Sequence, residues 1–581
     1  MPRPLPVPLA LLALLAATAV RPARAQPVVD GALDEWAAPL YADAVGDGAA
    51  VDFGRLWGAG DAEYLYVAFE TGAEIGLQNF NEVTLYVDAD GDASTGEGVA
   101  GIGAEFSYAF GTRAGTATLP GRAPAPVDYR TLALVSAPTV TADRFEVALR
   151  RDASVGGVPL FTGPAVRVAL VDRRPGGDAL PDGQGGVLVP LGSGPPARAA
   201  VDLGRREGDV RVMTYNVLRD RITQAEHRGR FERVFQSVRP DVVALQEVYA
   251  NDAADLAAFL GGLVPGTAWY GAGAPGTDAM VLSQYPVLEA TPLCERPGVP
   301  ASCNVAALLD LGGDRRLYVV SMHPPCCTND AARQAEFDLL AAHLRDARAS
   351  GALAPTTPVV VAGDMNLVGD RRQLETLLRG SIVDTGRFGP GAAPDADGTA
   401  LADAAPRTTG RPADFTWVNE GDQFPPGRLD YVVYSDALLE PGNGFALYTP
   451  GLTDEELARY GLLADDTAVS DHLPVVQDLA FRAPTGSGAA PGPALGAAVE
   501  SVGPNPSRGP VTVRYRLARP GPVRLTVHDA LGRAVRVVDE GERGAGPHAV
   551  SIDVSAMAAG TYVLRLEAGG HVSSRVLAVA R

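Results

Sequence analysis

Pro358 to Asn366 reads PVVVAGDMN, three valines and an alanine that stop at Gly363 and deliver Asp364 and Asn366 to the end of the run. A continuous β-branched run reads as a buried strand, and such a strand offers polar side chains only where it leaves the sheet. Gly-Asp-X-Asn is also good turn chemistry, so the stretch alone leaves two readings open. The same design recurs on either side. Val212–Val217 (VMTYNV) carries Asn216, Val242–Val248 (VVALQEV) carries Glu247, and Tyr318–Pro325 (YVVSMHPP) carries His323. Leu429–Ser435 (LDYVVYS) opens at Asp430, and VSDHLPV holds Asp471 and His472. Buried acids and imidazoles cost free energy unless they are paired or metal-bound. One shared site therefore explains the recurrence better than separate accidents.

In order and type these segments resemble the endonuclease/exonuclease/phosphatase superfamily, whose fold is shared by abasic-site endonucleases, DNase I-type nucleases, neutral sphingomyelinases and inositol polyphosphate 5-phosphatases. The resemblance covers about Asp209 to Phe481 and rests on the joint occurrence of QEV, GDMN, RLDYV and SDHLPV. It implies a four-layer α/β/β/α sandwich with the site at one edge of two packed sheets. It also implies Mg²⁺, with Mn²⁺ as a substitute, held first by Glu247, with Asn216 and Asp471 as nearer or water-mediated partners. A carboxylate is the hard oxygen ligand that such an ion requires, and one or two suffice because the ion keeps several waters. His472 is implied as the acid/base residue, oriented by Asp430. Asp364 would align or deprotonate the attacking water, Asn366 would hold a phosphate oxygen, and His323 would donate to the phosphate. Taken singly, His323 before two prolines also reads as a turn histidine, and Asp430 as a carboxylate paired to Arg428. Two further segments match relatives, FTWVN (415–419) and TDAMVLSQYP (277–286); in them Trp417 and Tyr285 read as core residues. Gln284 stands where relatives carry a basic residue. Arg219, Arg221, Arg228, Arg230 and Arg233 form either a basic rim or a solvated helix face.

The chain has 581 residues, 46% hydrophobic and 20% charged, which predicts several globular domains. The net charge is −20 and every one of the 49 cationic residues is arginine. Such an acidic chain argues against tight nonspecific binding to duplex DNA, though not against a locally basic cleft. An apolar run from Leu9 to Val20, ending in Ala23-Arg24-Ala25, is too short to span a bilayer and predicts a signal peptide over 1–25. No other segment is apolar enough to span a membrane. Export makes disulfides possible. Cys294, Cys303, Cys326 and Cys327 allow three pairings, and Cys294 with Cys303, or each with one of the adjacent pair, would brace the loop after His323.

Residues 26–195 read as an all-β sandwich of short alternating strands. VDGALDEW and VDADGDASTGEG resemble the family 9 carbohydrate-binding-like, or DOMON-like, sandwich, which implies a glycan as partner. Asp88, Asp90 and Asp92 alternate as Ca²⁺ ligands do, with a solvated acidic turn as the alternative. A linker is expected over 196–208, the catalytic region over 209–481 and a second linker over 482–498. Residues 499–581, with GPNPSRGPVTVRYRL and AAGTYVLRL, resemble the C-terminal sorting domain of the type IX secretion system, an immunoglobulin-like sandwich. That resemblance implies the secretion machinery as partner and the cell surface or exterior as destination. Together these readings lead to a secreted, metal-dependent phosphodiester hydrolase, first of all an extracellular nuclease acting on DNA or RNA. The alternatives are a sphingomyelinase-like or phosphomonoester substrate, and a surface glycan-binding protein without catalysis.

Overall fold

The computed structural model describes residues 27–580 except 183–184, 199–200, 265, 275–276, 296–302, 483–496, 504, 506, 518–519, 529–532 and 569–570. The expected signal peptide and most of the second expected linker lie outside the described residues. The chain divides into two compact units, Met1–Arg482 and Ala483–Arg581.

In the first unit, consecutive residues of the central strands go to opposite clusters. Val212, Ala244, Val281, Val319, Val360 and Val432 pack in one core. Their neighbours Met213, Val243, Leu245 and Leu282 pack outward in a second, and Val320, Val359, Val361 and Val433 in a third. Side chains alternate along a strand, so a strand buried on both faces must be apolar at every position. That is why these strands read as unbroken apolar runs. One sheet runs Tyr270–Ala272, Met280–Ser283, Val242–Gln246, Val210–Asn216, Val475–Phe481, Leu439–Ala446, Arg407–Thr408. The other runs Val287–Cys294, Cys303–Gly312, Arg315–Met322, Val359–Asp364, Asp430–Tyr434, Ala402–Asp403. The first core lies between the two sheets. Helices Arg228–Val238 and Ala253–Leu263 cover the outside of the first sheet. Helices Asp330–Ser350 and Arg372–Arg379 cover the second. In the helix Arg228–Val238 the buried residues are Phe231, Val234, Phe235 and Val238, the one apolar stripe its sequence offers.

In each sheet two of the strands that carry site residues run parallel, Val210–Asn216 with Val242–Gln246 and Arg315–Met322 with Val359–Asp364. Parallel neighbours end on the same side, so Asn216, Glu247, His323 and Asp364 emerge together. Asp430 pairs in register with Asp364 from the adjacent antiparallel strand.

Within the stretch expected as the first linker, two apolar side chains are packed. Val201 and Leu203 are 9% and 5% exposed and join the core beneath the first sheet's helices. Leu203 and Gly204 carbonyls also accept from Arg211. Arg211, 2% exposed, makes a bidentate pair with Asp478 at 2.6 and 2.7 Å and thereby joins two adjacent strands.

The N-terminal sandwich has a five-stranded and a seven-stranded sheet around a core of Phe53, Phe69, Phe106, Tyr108 and Phe145. It docks on the central sheets. Tyr64, Tyr66, Ala137 and Ala148 on its outer face share a core with Ala413 and Phe415, and Val29 bridges to Ala413. The second unit packs a three-stranded and a four-stranded sheet around Val511, Val513, Tyr515, Leu525, Leu564 and Leu566. Among the described residues no helix is long and apolar enough to cross a membrane.

Candidate active site

Asp364 ends its strand, 1% exposed, and its Oδ2 is the point where the site residues meet. Asn216 Nδ2 donates to it at 3.1 Å, His472 Nε2 lies 3.3 Å away and His323 Nε2 3.6 Å away. Its other oxygen accepts from Asn366 N at 3.0 Å. The glycine before it is required by close approach, because a Cβ on Gly363 would sit 2.0 Å from the Met322 carbonyl oxygen.

Each histidine is held by its own carboxylate. His472 Nδ1 pairs with Asp430 Oδ2 at 2.8 Å, and the two residues are 5% and 0% exposed. The Asp430 and Leu429 amides in turn donate to Thr416 Oγ1. His323 Nδ1 pairs with Asp278 Oδ2 at 2.6 Å, and its amide donates to Asn304 Oδ1, whose Nδ2 donates to the buried Glu336. A carboxylate on Nδ1 turns Nε2 toward Asp364 in both rings. Burial disfavours the His472 imidazolium, but Asp430, Asp364 and Asp471 together outweigh it and push it up to about 10. For His323 burial again opposes the charge, while Asp278, Asp364 and Glu247 push it up to about 9. Burial raises Asp430 too. With three carboxylates around one imidazole, the shared proton belongs to His472.

Glu247 follows its strand in a left-handed conformation, φ 62°. Its Oε1 accepts from Asn216 Nδ2 at 3.0 Å and its Oε2 from Arg219 N at 3.0 Å. Leu218, Arg219 and Asp220 are all left-handed, with φ of 48°, 54° and 61°, and so wrap the backbone around that carboxylate. Such residues cost on the order of 1–3 kcal/mol each and persist only where the surroundings enforce them. Asp471 Oδ2 accepts from Trp417 Nε1 and Asn419 Nδ2, while its Oδ1 is buried without a hydrogen-bond partner. Each of these carboxylates offers hard oxygens, one of them orphaned, the donor type that a divalent cation takes.

The site therefore gathers Asn216, Glu247, His323, Asp364, Asn366, Asp430 and His472 in one contact network, with Asp471 beside it through the chain. Asp430 does not pair with Arg428, which instead holds Asp403. Trp417, expected in the core, is half-buried against Asp471. Of the arginines read as either a basic rim or a solvated helix face, Arg230 and Arg233 pair with Asp465 and Asp466, and Arg221 donates to the Val469 carbonyl. Gln284 ties down Pro240, away from these residues. Cys294 pairs with Cys303, and Cys326 with its neighbour Cys327 in the loop after His323. In the sandwich, Asp92 departs from the expected calcium set, and Glu105 joins Asp88 and Asp90 in its place.

Sequence reasoning missed Asp278, the partner of His323. The signal was present, since Asp278 stands two residues ahead of the apolar strand Met280–Ser283. It also missed that the sandwich grips the loop behind Asp471. Tyr129 Oη donates to the Asn419 carbonyl at 2.8 Å, Arg130 donates to Glu420 O and Asp422 O, and Thr139 Oγ1 lies within hydrogen-bonding distance of Leu367 O and Arg428 O.

Residues 213–472 match the Endonuclease/Exonuclease/phosphatase family, and residues 501–580 match the secretion system C-terminal sorting domain. Among solved structures the chain is similar to an endonuclease/exonuclease/phosphatase from Beutenbergia cavernae, at 20% identity over 64% of this chain and 100% of that one, TM-score 0.30. It is similar also to sphingomyelinase C from Streptomyces griseocarneus, at 18% identity over 46% and 99%, TM-score 0.30. The human Nocturnin catalytic domain gives 16% identity over 48% and 97%, TM-score 0.30. No curated protein sequence matches the chain. The chain thus carries a domain of the endonuclease/exonuclease/phosphatase family in its first unit and a secretion system C-terminal sorting domain in its second.

Proposed function

We propose that the first unit is a divalent-metal-dependent phosphodiester hydrolase that acts on nucleic acid outside the cell. The family acts on phosphoester bonds, and the sorting domain directs the protein through type IX secretion to the outer surface or beyond. The observation that carries the reading is the single Asp364 oxygen facing Asn216 Nδ2, His472 Nε2 and His323 Nε2.

In this reading Asp364 Oδ2 holds a water in line with the scissile phosphorus–oxygen bond and takes its proton as attack proceeds. His472, kept in one tautomer by Asp430, delivers or receives the proton at Nε2. His323 donates from Nε2 to a non-bridging phosphate oxygen, where charge develops, and Asn366 holds a second. Glu247, with Asn216 and Asp471, would hold Mg²⁺, which supplies Lewis-acid stabilisation of the phosphate and leaving-group charge when bound. Nucleic acid is favoured by Tyr249, which is 60% exposed two residues beyond Glu247. It offers a ring face on which a base can stack.

The test is hydrolysis of plasmid DNA, RNA, sphingomyelin and a chromogenic phosphodiester by the full chain, with Mg²⁺ or EDTA, beside His472→Ala. Metal-dependent cleavage of DNA or RNA that disappears in the variant supports the reading. Exclusive turnover of sphingomyelin moves the substrate to a lipid headgroup, and inactivity of folded protein on every substrate rejects the hydrolase.

A further inference from the structure

The strand Val83–Asp88 leaves the sandwich at Asp88, and the chain then turns through Ala89 to Gly96. Asp92 turns away onto its own loop, its Oδ1 accepting from Ser94 N at 2.9 Å and Ser94 Oγ at 2.6 Å. Glu105, just ahead of the neighbouring strand Phe106–Ala109, points in instead. One oxygen from each of Asp88, Asp90 and Glu105 lies within 4.8 Å of the others.

These oxygens are short of donors. Asp88 is 0% exposed and Glu105 3%. Asp88 Oδ1 accepts from Gly91 N and Glu105 Oε2 from Ala89 N. Asp90 Oδ1 accepts from Asp92 N at 2.8 Å, and the other contacts of Asp90 and Glu105 run to one hydroxyl, Thr95 Oγ1, at 3.0–3.2 Å. A hydroxyl has one proton, so it satisfies only one of them. Asp88 Oδ2 is covered and has no partner at all. Arg167, the nearby cation, donates from Nη1 to the Gly185 and Gly186 carbonyls. Burial, with repulsion from Asp90, raises both Asp88 and Glu105. Arg167 draws Asp88 the other way, but burial outweighs it.

We propose that Asp88, Asp90 and Glu105 bind a calcium ion that clamps the end of the N-terminal sandwich. The donors are all hard oxygens, without sulfur or imidazole, and they come from separate segments of chain. Calcium accepts six to eight such ligands in flexible geometry, with water and backbone carbonyls completing the set, whereas magnesium demands near-ideal octahedral placement. The three residues come from a strand end, a turn and the approach to a neighbouring strand, so a shared ion ties three segments together.

The site lies in a different part of the fold from Glu247, and the test keeps the two apart. Full-length, EDTA-treated protein is titrated with CaCl₂ by calorimetry and melted with and without 10 mM calcium, as wild type, Asp88→Asn, Glu105→Gln and Glu247→Gln. Wild type and Glu247→Gln should bind calcium with Kd on the order of 10⁻⁴–10⁻³ M, in the range of extracellular modules, and gain roughly 5 °C or more in midpoint. Asp88→Asn and Glu105→Gln, which keep the shape and remove repulsion, should fold but lose both the heat and the gain. Equal calcium responses in Asp88→Asn and wild type overturn the proposal, as does loss of the response in Glu247→Gln alone. A magnesium response equal to that of calcium overturns the choice of ion.

Discussion

Asp430→Asn isolates the orientation of His472 from the rest of the site. Asparagine fills the same volume, so the 0%-exposed position stays packed and the register with Asp364 is kept. What changes is the 2.8 Å contact to His472 Nδ1. A hydrogen bond to a charged group contributes about 1.5–3 kcal/mol, and about 1.36 kcal/mol is tenfold in rate. Loss of that contact in the transition state therefore lowers kcat about 10–100-fold. If the amide presents its N–H to Nδ1, the ring is forced into the other tautomer, a swap that costs up to about 10⁴-fold in Ser-His-Asp enzymes. The expected result is a fall in kcat of at least about tenfold with KM within about threefold, because Asp430 touches the histidine and not the substrate. Steady-state hydrolysis of a chromogenic phosphodiester with saturating Mg²⁺ measures both constants, and circular dichroism checks the fold. A folded variant that keeps kcat within about threefold of wild type refutes the role given to the pair.

Four other outcomes are expected. Glu247→Gln should weaken Mg²⁺ dependence about 10–100-fold, the range found when support around a metal is removed, read from the metal concentration giving half-maximal rate. Asp478→Ala leaves Arg211 charged and buried, and should cost about 3–5 kcal/mol in urea unfolding; a change below about 1 kcal/mol would show the pair to be inessential. Glu336, facing His323, Glu295 and Asp278, is pushed up to about 8 by burial. A raised carboxyl contributes stability that is complete below its ordinary value of 4.5 and lost as pH rises through about 8. Urea midpoints should therefore fall between pH 6 and pH 9 by an amount that Glu336→Gln largely removes. Breaking Cys294–Cys303, nine residues apart, with Cys294→Ser and Cys303→Ser should cost about 2–3 kcal/mol by loop closure, whereas unchanged unfolding would show that the bond is not formed.

The sandwich is more than an appendage to the catalytic region. Its Tyr129, Arg130 and Thr139 hold the segment between Trp417 and Arg428, and Trp417 and Asn419 hold Asp471. Four or five such bonds at about 1 kcal/mol each are enough to keep a surface loop in one geometry. The five-stranded sheet also hides Tyr64 and Tyr66 against the central core, surface that would be exposed if the region 209–481 were produced alone.

The sequence by itself determined the central strands and their common end. Apolar residues at every position leave a strand no solvated face, so sheets covered on both sides follow from VVVAGD and VVALQ alone. Polar residues at the ends of those runs then mark the one place where a buried strand reaches open space. Their roles as single residues were not legible, because a role depends on which side chain faces which. Asp278 meets His323 across 45 positions of chain, and Glu105 replaces Asp92 beside Asp88 through strand pairing. Both partners are chosen by register and distance in the sheet, which local pattern does not encode. The packing of Val201 and Leu203 had the same cause: a Gly- and Arg-rich composition describes the chain's intrinsic freedom, and only the tertiary structure decided that two apolar side chains within it found a core.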